Sequence, residues 1–190
     1  MSNTVTKNEI VTGKVRLSYV NLIEPRINDD GKKAYDVSVM VKKDDRETLD
    51  KINAAIAFVK SDKASKSKWG GKIPANLKMP LHDGDVDRED DEAYAGCWYF
   101  SCKSNRQPGI VGPNLEAIID PEEIYSGIYA KVNIRFYPYA VSGNGIAVWL
   151  CNVQKLADGE PLGASSRKAE DVFSSFEVAG ETKQSLNDLY

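Results

Sequence analysis

Apolar and polar positions alternate from the start of the ordered pattern. Between Gly13 and Ile23, Val15, Leu17 and Tyr19 point one way, and Lys14, Arg16 and Ser18 the other, as in a half-buried strand. The same period of two returns over Tyr35–Lys42, with Tyr35, Val37, Val39 and Val41 on one face. The turn-forming run Asn28-Asp29-Asp30-Gly31 joins the two into a long hairpin. The spacing then changes. After Asp44–Glu47, Leu49, Ile52, Ile56 and Val59 recur at three- and four-residue steps, which predicts an amphipathic helix with acidic residues in its first turn. Residues 60–78 are rich in lysine: either the helix continues into them or they form a basic loop. Residues 83–92 read as a solvated acidic loop, and Cys97–Cys102 as a short apolar strand before a Pro/Gly-rich turn at 108–113. Gly127–Tyr139 alternates over its whole length. Gly145–Val153 is apolar on both faces, as a central strand would be, and Ser142–Gly145 makes the hairpin turn between them.

About five strands with a helix among them predict a mainly β chain: an OB-fold-like five-stranded Greek-key barrel with one or two helices inserted. After Lys155 the periodicity fades. The expected division is a domain over residues 1–164 and a flexible acidic tail over 165–190.

Composition narrows the class. With 42 % apolar and 28 % charged residues in 190, the chain reads as an ordinary globular protein. No apolar run approaches the ~18–20 residues of a membrane helix, so no membrane partner is expected. The polar start, Met1–Glu9, lacks a signal-peptide core. The odd set Cys97, Cys102 and Cys151 reads as reduced, buried thiols, and together these features point to a cytoplasm rather than a secreted disulfide framework. A net charge of −3 argues against a nucleic-acid partner until its distribution is considered. Residues 1–82 carry 16 Lys/Arg against 10 Asp/Glu, and residues 83–190 carry 9 against 18. The asymmetry fits a basic binding surface beside acidic segments, and equally a chance clustering of solvated charges.

The strand Tyr129–Tyr139 carries the most chemistry. Ile128, Ala130, Val132, Ile134 and Phe136 face a core, while the opposite side presents Tyr129, Lys131, Asn133, Arg135, Tyr137 and Tyr139. Aromatic rings interleaved with cations suit single-stranded nucleic acid, because rings stack on unpaired bases and cations neutralise phosphates. The same tyrosines would also serve as ordinary amphipathic surface. Lys14 and Arg16 on the first strand, Tyr99 and Lys103 on the third, and Arg106 beyond it extend the pattern. Lys66, Lys68 and Lys72 around Trp69 form a second candidate contact, or else a solvated connector with Trp69 tucked into the core. The acidic tail ends Asp188-Leu189-Tyr190 and is a candidate docking segment for replication proteins, a competitor for a basic groove, or simply a solubilising segment. A homodimer is left open.

Enzymatic readings find little. His82 is the single histidine, which excludes a histidine-based metal cluster, and neither a Walker loop nor a Rossmann fingerprint is present. No metal and no cofactor are expected. The acidic run 82–89 lacks the glycine position and glutamate spacing of an EF-hand.

Several stretches in order resemble a phage family first catalogued as a domain of unknown function. They are Lys14–Pro25 (KVRLSYVNLIEP), Tyr35–Lys43 (YDVSVMVKK), Pro80–Asp85 (PLHDGD), Lys103–Val111 with Arg106 and Pro108, Tyr125–Val132 (YSGIYAKV), Gly145–Gln154, and Gly-Glu-Pro-Leu-Gly at 159–163. The resemblance covers roughly residues 10–163. It implies an OB barrel that binds single-stranded DNA with little sequence preference, without catalysis, in phage replication or recombination. The tail departs from the strongest examples in being less acidic and in ending on Tyr190 rather than phenylalanine. Two other classes stay open at this point: a metal-dependent nuclease or recombination enzyme using the 83–92 carboxylates, and a structural virion assembly protein.

Overall fold

The computed structural model describes residues 6–27 and 31–163. In chain order it holds β1 (Glu9–Val11), β2 (Val15–Ile27), β3 (Lys33–Lys42), α1 (Arg46–Ser61), α2 (Lys63–Lys68), β4 (His82–Asp83), α3 (Gly84–Asp87), β5 (Cys97–Ser104), β6 (Gly109–Val111), β7 (Tyr129–Tyr139) and β8 (Gly145–Ala157), with 3-10 turns at Glu92–Tyr94 and Pro121–Glu123. The Asn28–Asp30 turn and the tail, including Asp188, Leu189 and Tyr190, lie outside the described residues.

Five strands close on themselves in the order β2, β3, β5, β8, β7 and back to β2. All neighbours are antiparallel except β5 and β8, which run parallel. This is the Greek-key order of an OB barrel, with α1 and α2 inserted between its second and third strands. The β2–β7 seam is short, Val15 opposite Ala130 and Arg16 opposite Tyr129, and β1 extends it along β7 from Asn133 to Arg135.

The barrel interior follows the alternation. Ile128, Ala130, Val132, Ile134 and Phe136 are all 0 % exposed, facing Leu17, Val39, Phe100 and Leu150 across the same core. Side chains on a strand alternate between faces, so one strand's inward set is readable locally. At the start of α1, the Asp45 carboxylate accepts from the Thr48 amide at 3.1 Å, and Leu49, Ile52, Ala55, Ile56 and Val59 are buried in the core. The helix breaks at Asp62, whose extended backbone and carboxylate then cap α2. The lysine-rich stretch thus begins as a second short helix.

Three expectations are corrected. Tyr19 does not face the core: β2 shifts register between Ser18 and Asn21, Tyr19 adopts φ +47°, and its ring is 55 % exposed. The bulge reverses the parity of the strand, so Leu22 takes the inward position. The outer face of β8 is only partly covered: Ala147, Trp149 and Cys151 are half-buried, while Ile146, Val148, Leu150 and Val153 fill the barrel. The acidic stretch 83–92 keeps most of its carboxylates in solvent but is folded rather than a free loop. β4 pairs with β5, His82 opposite Tyr99 and Asp83 opposite Trp98, and Lys43 Nζ binds Asp83 at 2.6 Å and Asp85 at 2.7 Å. Tyr94, fully buried, donates its hydroxyl to Ser38 Oγ at 3.2 Å and pins the segment to the outer side of β3. Of the three cysteines, all free thiols, Cys102 is buried whereas Cys97 and Cys151 are half-buried.

At the barrel seam, Glu9 accepts from Arg135 at 2.7 and 3.1 Å and from Asn133 at 3.0 Å. Hydrogen bonding to Arg135, then to Asn133, holds its carboxyl below the ordinary value. A depressed folded-state pKa contributes stability above the unfolded value, which is lost as pH falls through the folded one. On acidification across that window, the urea midpoint of the parent protein is expected to fall more steeply than that of Glu9→Gln.

Candidate nucleic-acid interface

A groove of about 790 Å³ lies on the outer face of β3 and β5. Tyr99, Ser101 and Lys103 alternate outward along β5 and form its floor with Ser38 and Asp36 of β3. One wall is β2, through Tyr19, Asn21 and Arg26; the other is built from Met79, Pro80, Tyr139 and Ala147. Backbone pairing of Lys78 with the 144–146 turn holds the second wall in place.

Arg88 enters the groove from the folded acidic segment. Its guanidinium carbon lies 5.2 Å from the Tyr94 ring, 5.5 Å from Tyr19 and 5.7 Å from Tyr99, and Nη1 donates to the Tyr19 hydroxyl at 3.3 Å. Hydrogen bonding to Tyr99, then to Tyr19, raises its pKa above the already high ordinary value. Tyr99 carries a second ring: His82 stacks on it at 5.4 Å and 29°, with Nδ1 3.3 Å from Asp87 Oδ2. His82 remains about half exposed, so the His82–Tyr99 stack ends in an open ring face. Tyr19 supplies a second exposed ring, held out by a left-handed backbone that a non-glycine residue adopts only at a cost of roughly 1 kcal/mol or more. Arg26 pairs with Asp36 at 2.9 Å. Among the described residues Lys103 makes no ion pair, leaving its charge to the groove.

The motif PLHDGD is explained by this geometry. His82 stacks, Asp83 and Asp85 hold Lys43, and Gly84 passes so close to the Tyr94 and Cys97 carbonyls that a Cβ would lie 2.8 Å from the latter and nearer still to the former. Carboxylates committed to a lysine in this way are poorly placed to gather a metal.

Of the residues singled out in the sequence, Tyr99, Lys103 and Tyr139 line the groove. Lys14, Arg16 and Tyr129 form a separate cluster at the β2–β7 seam. Lys14 Nζ and the Arg16 guanidinium sit 4.7 and 5.8 Å from the Tyr129 ring, and Arg16 donates to the carbonyls of Gly127 and Glu160. Lys131, Arg135 and Tyr137 lie on the outer face of β7, beside β8. Lys66 and Lys68 on α2, Lys72 beyond it, and exposed Arg106 after β5 do not line the groove. Trp69 is not a surface ring: it is 8 % exposed, packs in the core and donates its indole N–H to the Tyr139 carbonyl at 3.0 Å. Its amphipathic ring was better used to close the barrel end than to meet solvent.

Tyr19, Arg26, His82 and Arg88 are groove residues that sequence reasoning missed. A bulge hides Tyr19 from any alternation rule. Arg88 had one readable signal, as the lone cation between Asp83 and Glu92.

The barrel order and a groove over its second and third strands define an OB fold of the oligomer-binding type. The model of the family described as the Enterobacter phage Enc34 ssDNA-binding protein matches residues 8–184, and the chain belongs to that family. The family is one of binding proteins rather than enzymes. Among solved structures, the Enc34 single-stranded DNA-binding protein in complex with ssDNA is 28 % identical, with 83 % of this chain and 91 % of that one covered and a TM-score of 0.72. Another solved structure of the Enc34 single-stranded DNA-binding protein gives 26 % identity, 89 % and 92 % coverage and a TM-score of 0.69. The bacteriophage T7 single-stranded DNA-binding protein gp2.5, at 15 % identity, 90 % and 98 % coverage and a TM-score of 0.62, shares the fold. A comparison with curated proteins finds no match.

Proposed function

We propose that this chain binds and shelters single-stranded DNA, without catalysis and with little sequence preference, during phage DNA replication or recombination in the host cytoplasm. The strand lies in the β3–β5 groove. Bases stack on Tyr19 and on the open face of the His82–Tyr99 pair, and phosphates meet Lys103, Arg26 and Arg88. The observation that carries this reading is the cluster of rings around Arg88 in the groove, in a chain whose family includes a protein solved with ssDNA. Rings accept any base, whereas a duplex keeps its base faces stacked and offers none. Asp188, Leu189 and Tyr190 stay candidates for docking replication proteins.

Quenching of intrinsic fluorescence by an unlabelled single strand, beside the matching duplex and at two salt concentrations, tests the proposal. Strong, salt-sensitive quenching by the single strand alone is expected; equal response to duplex, or none to either, defeats it. Each phosphate neutralised on a single strand contributes about 0.7 to the slope of log K against log salt. Lys103→Ala is therefore expected to flatten that slope by about 0.7 or less and to weaken all sequences alike.

A further inference from the structure

The groove does not end at a bare surface. Past Lys103 and Ala147, which line it, the outer face of the sheet continues onto β8 and β7. There Trp149 is half-buried and stands between two cations in one cross-strand row: its register partner on β5 is Lys103 and on β7 is Arg135. Residues paired in register point to the same side of a sheet, and neighbouring strands lie only about 4.8 Å apart. Tyr137 packs edge-on against Trp149, ring centroids 6.5 Å apart at 69°. The Arg135 guanidinium is fixed by two hydrogen bonds to Glu9, which shares its charge, so Lys103 supplies the cation common to the groove and this ledge.

We infer that Trp149, with Tyr137 beside it, is a second base-stacking surface that takes the same single strand as it leaves the groove past Lys103. A long strand then engages groove and ledge together, and the footprint extends beyond what the groove alone holds. This rests on the groove binding proposed above. The rival role for Trp149 is cross-strand packing with Tyr137, which predicts no dependence on strand length.

Oligothymidylates of increasing length, titrated at one fixed salt concentration against the full chain and its Trp149→Ala, Trp149→Phe and Tyr19→Ala variants, separate the two. Strands that only fill the groove are expected to bind Trp149→Ala as tightly as the parent, and longer strands about tenfold more weakly, the loss of one stacked base. Trp149→Phe keeps most of the affinity for long strands, but the extra tryptophan quenching that the parent shows on lengthening disappears. Parent-like binding of long strands by Trp149→Ala, an equal loss at every length, or quenching on lengthening that survives Trp149→Phe each overturns the ledge. In those cases length-independent weakening by Tyr19→Ala leaves the groove standing. No binding of any length by the parent overturns both.

Discussion

Replacing Tyr19 by alanine is expected to weaken single-strand binding by about 1–3 kcal/mol, a loss of roughly 5- to 150-fold. The ring is 55 % exposed and lines the groove, so its removal takes away stacking surface without opening a cavity. Its one described side-chain hydrogen bond, from Arg88 at 3.3 Å, is long, and Arg88 keeps Tyr94 and Tyr99 as partners. Thermal stability should accordingly change by no more than about 0.5 kcal/mol, as for other surface substitutions. Tyr19→Phe, which retains the ring, should bind nearly as the parent does. Equilibrium titration with a groove-length oligonucleotide beside a thermal melt checks both halves. Parent-like affinity in Tyr19→Ala would show that bases do not stack on this wall.

Gly84→Ala is expected to act through the segment that carries His82 and Arg88. An added Cβ meets the backbone carbonyls of Tyr94 and Cys97, neither of which can swing aside as a flexible side chain would. Tyr94 is fully buried and tied to Ser38, and Lys43 clamps Asp83 and Asp85 on the other flank. The segment therefore either strains or lifts, at a cost of about 3 kcal/mol. A matching fall in the urea midpoint with an unchanged slope is the expected signature. Binding should weaken as well, because a lifted segment takes the His82 ring off Tyr99 and Arg88 out of the groove. An unchanged midpoint would mean the 82–96 segment yields without cost, and that the close approach at Gly84 is not what positions it.

What can be read from the chain itself is what depends on neighbours in sequence. The inward row of β7, from Ile128 to Phe136, the outward set Tyr99 and Lys103 on β5, and the capped start of α1 at Asp45 all follow from local periods, because strand side chains alternate and helix faces repeat. Five strands with a helix inserted after the second were enough to indicate the OB barrel. The groove was only partly legible. A one-residue bulge turned Tyr19 outward, and no alternation rule anticipates a change of parity. Burial of Trp69 was decided by its packing in the core and by a carbonyl seventy residues away, on Tyr139. The stretch 83–92 looked like a free loop because its own residues are acidic; Lys43, forty positions upstream, and buried Tyr94 fold it down while most of its carboxylates stay in solvent. The parallel pairing of β5 with β8 set Lys103 beside Trp149. Local chemistry thus determined which residues could stack or carry charge, and non-local pairing decided which of them share a surface, since register between distant strands is settled by the packed core rather than by either strand alone.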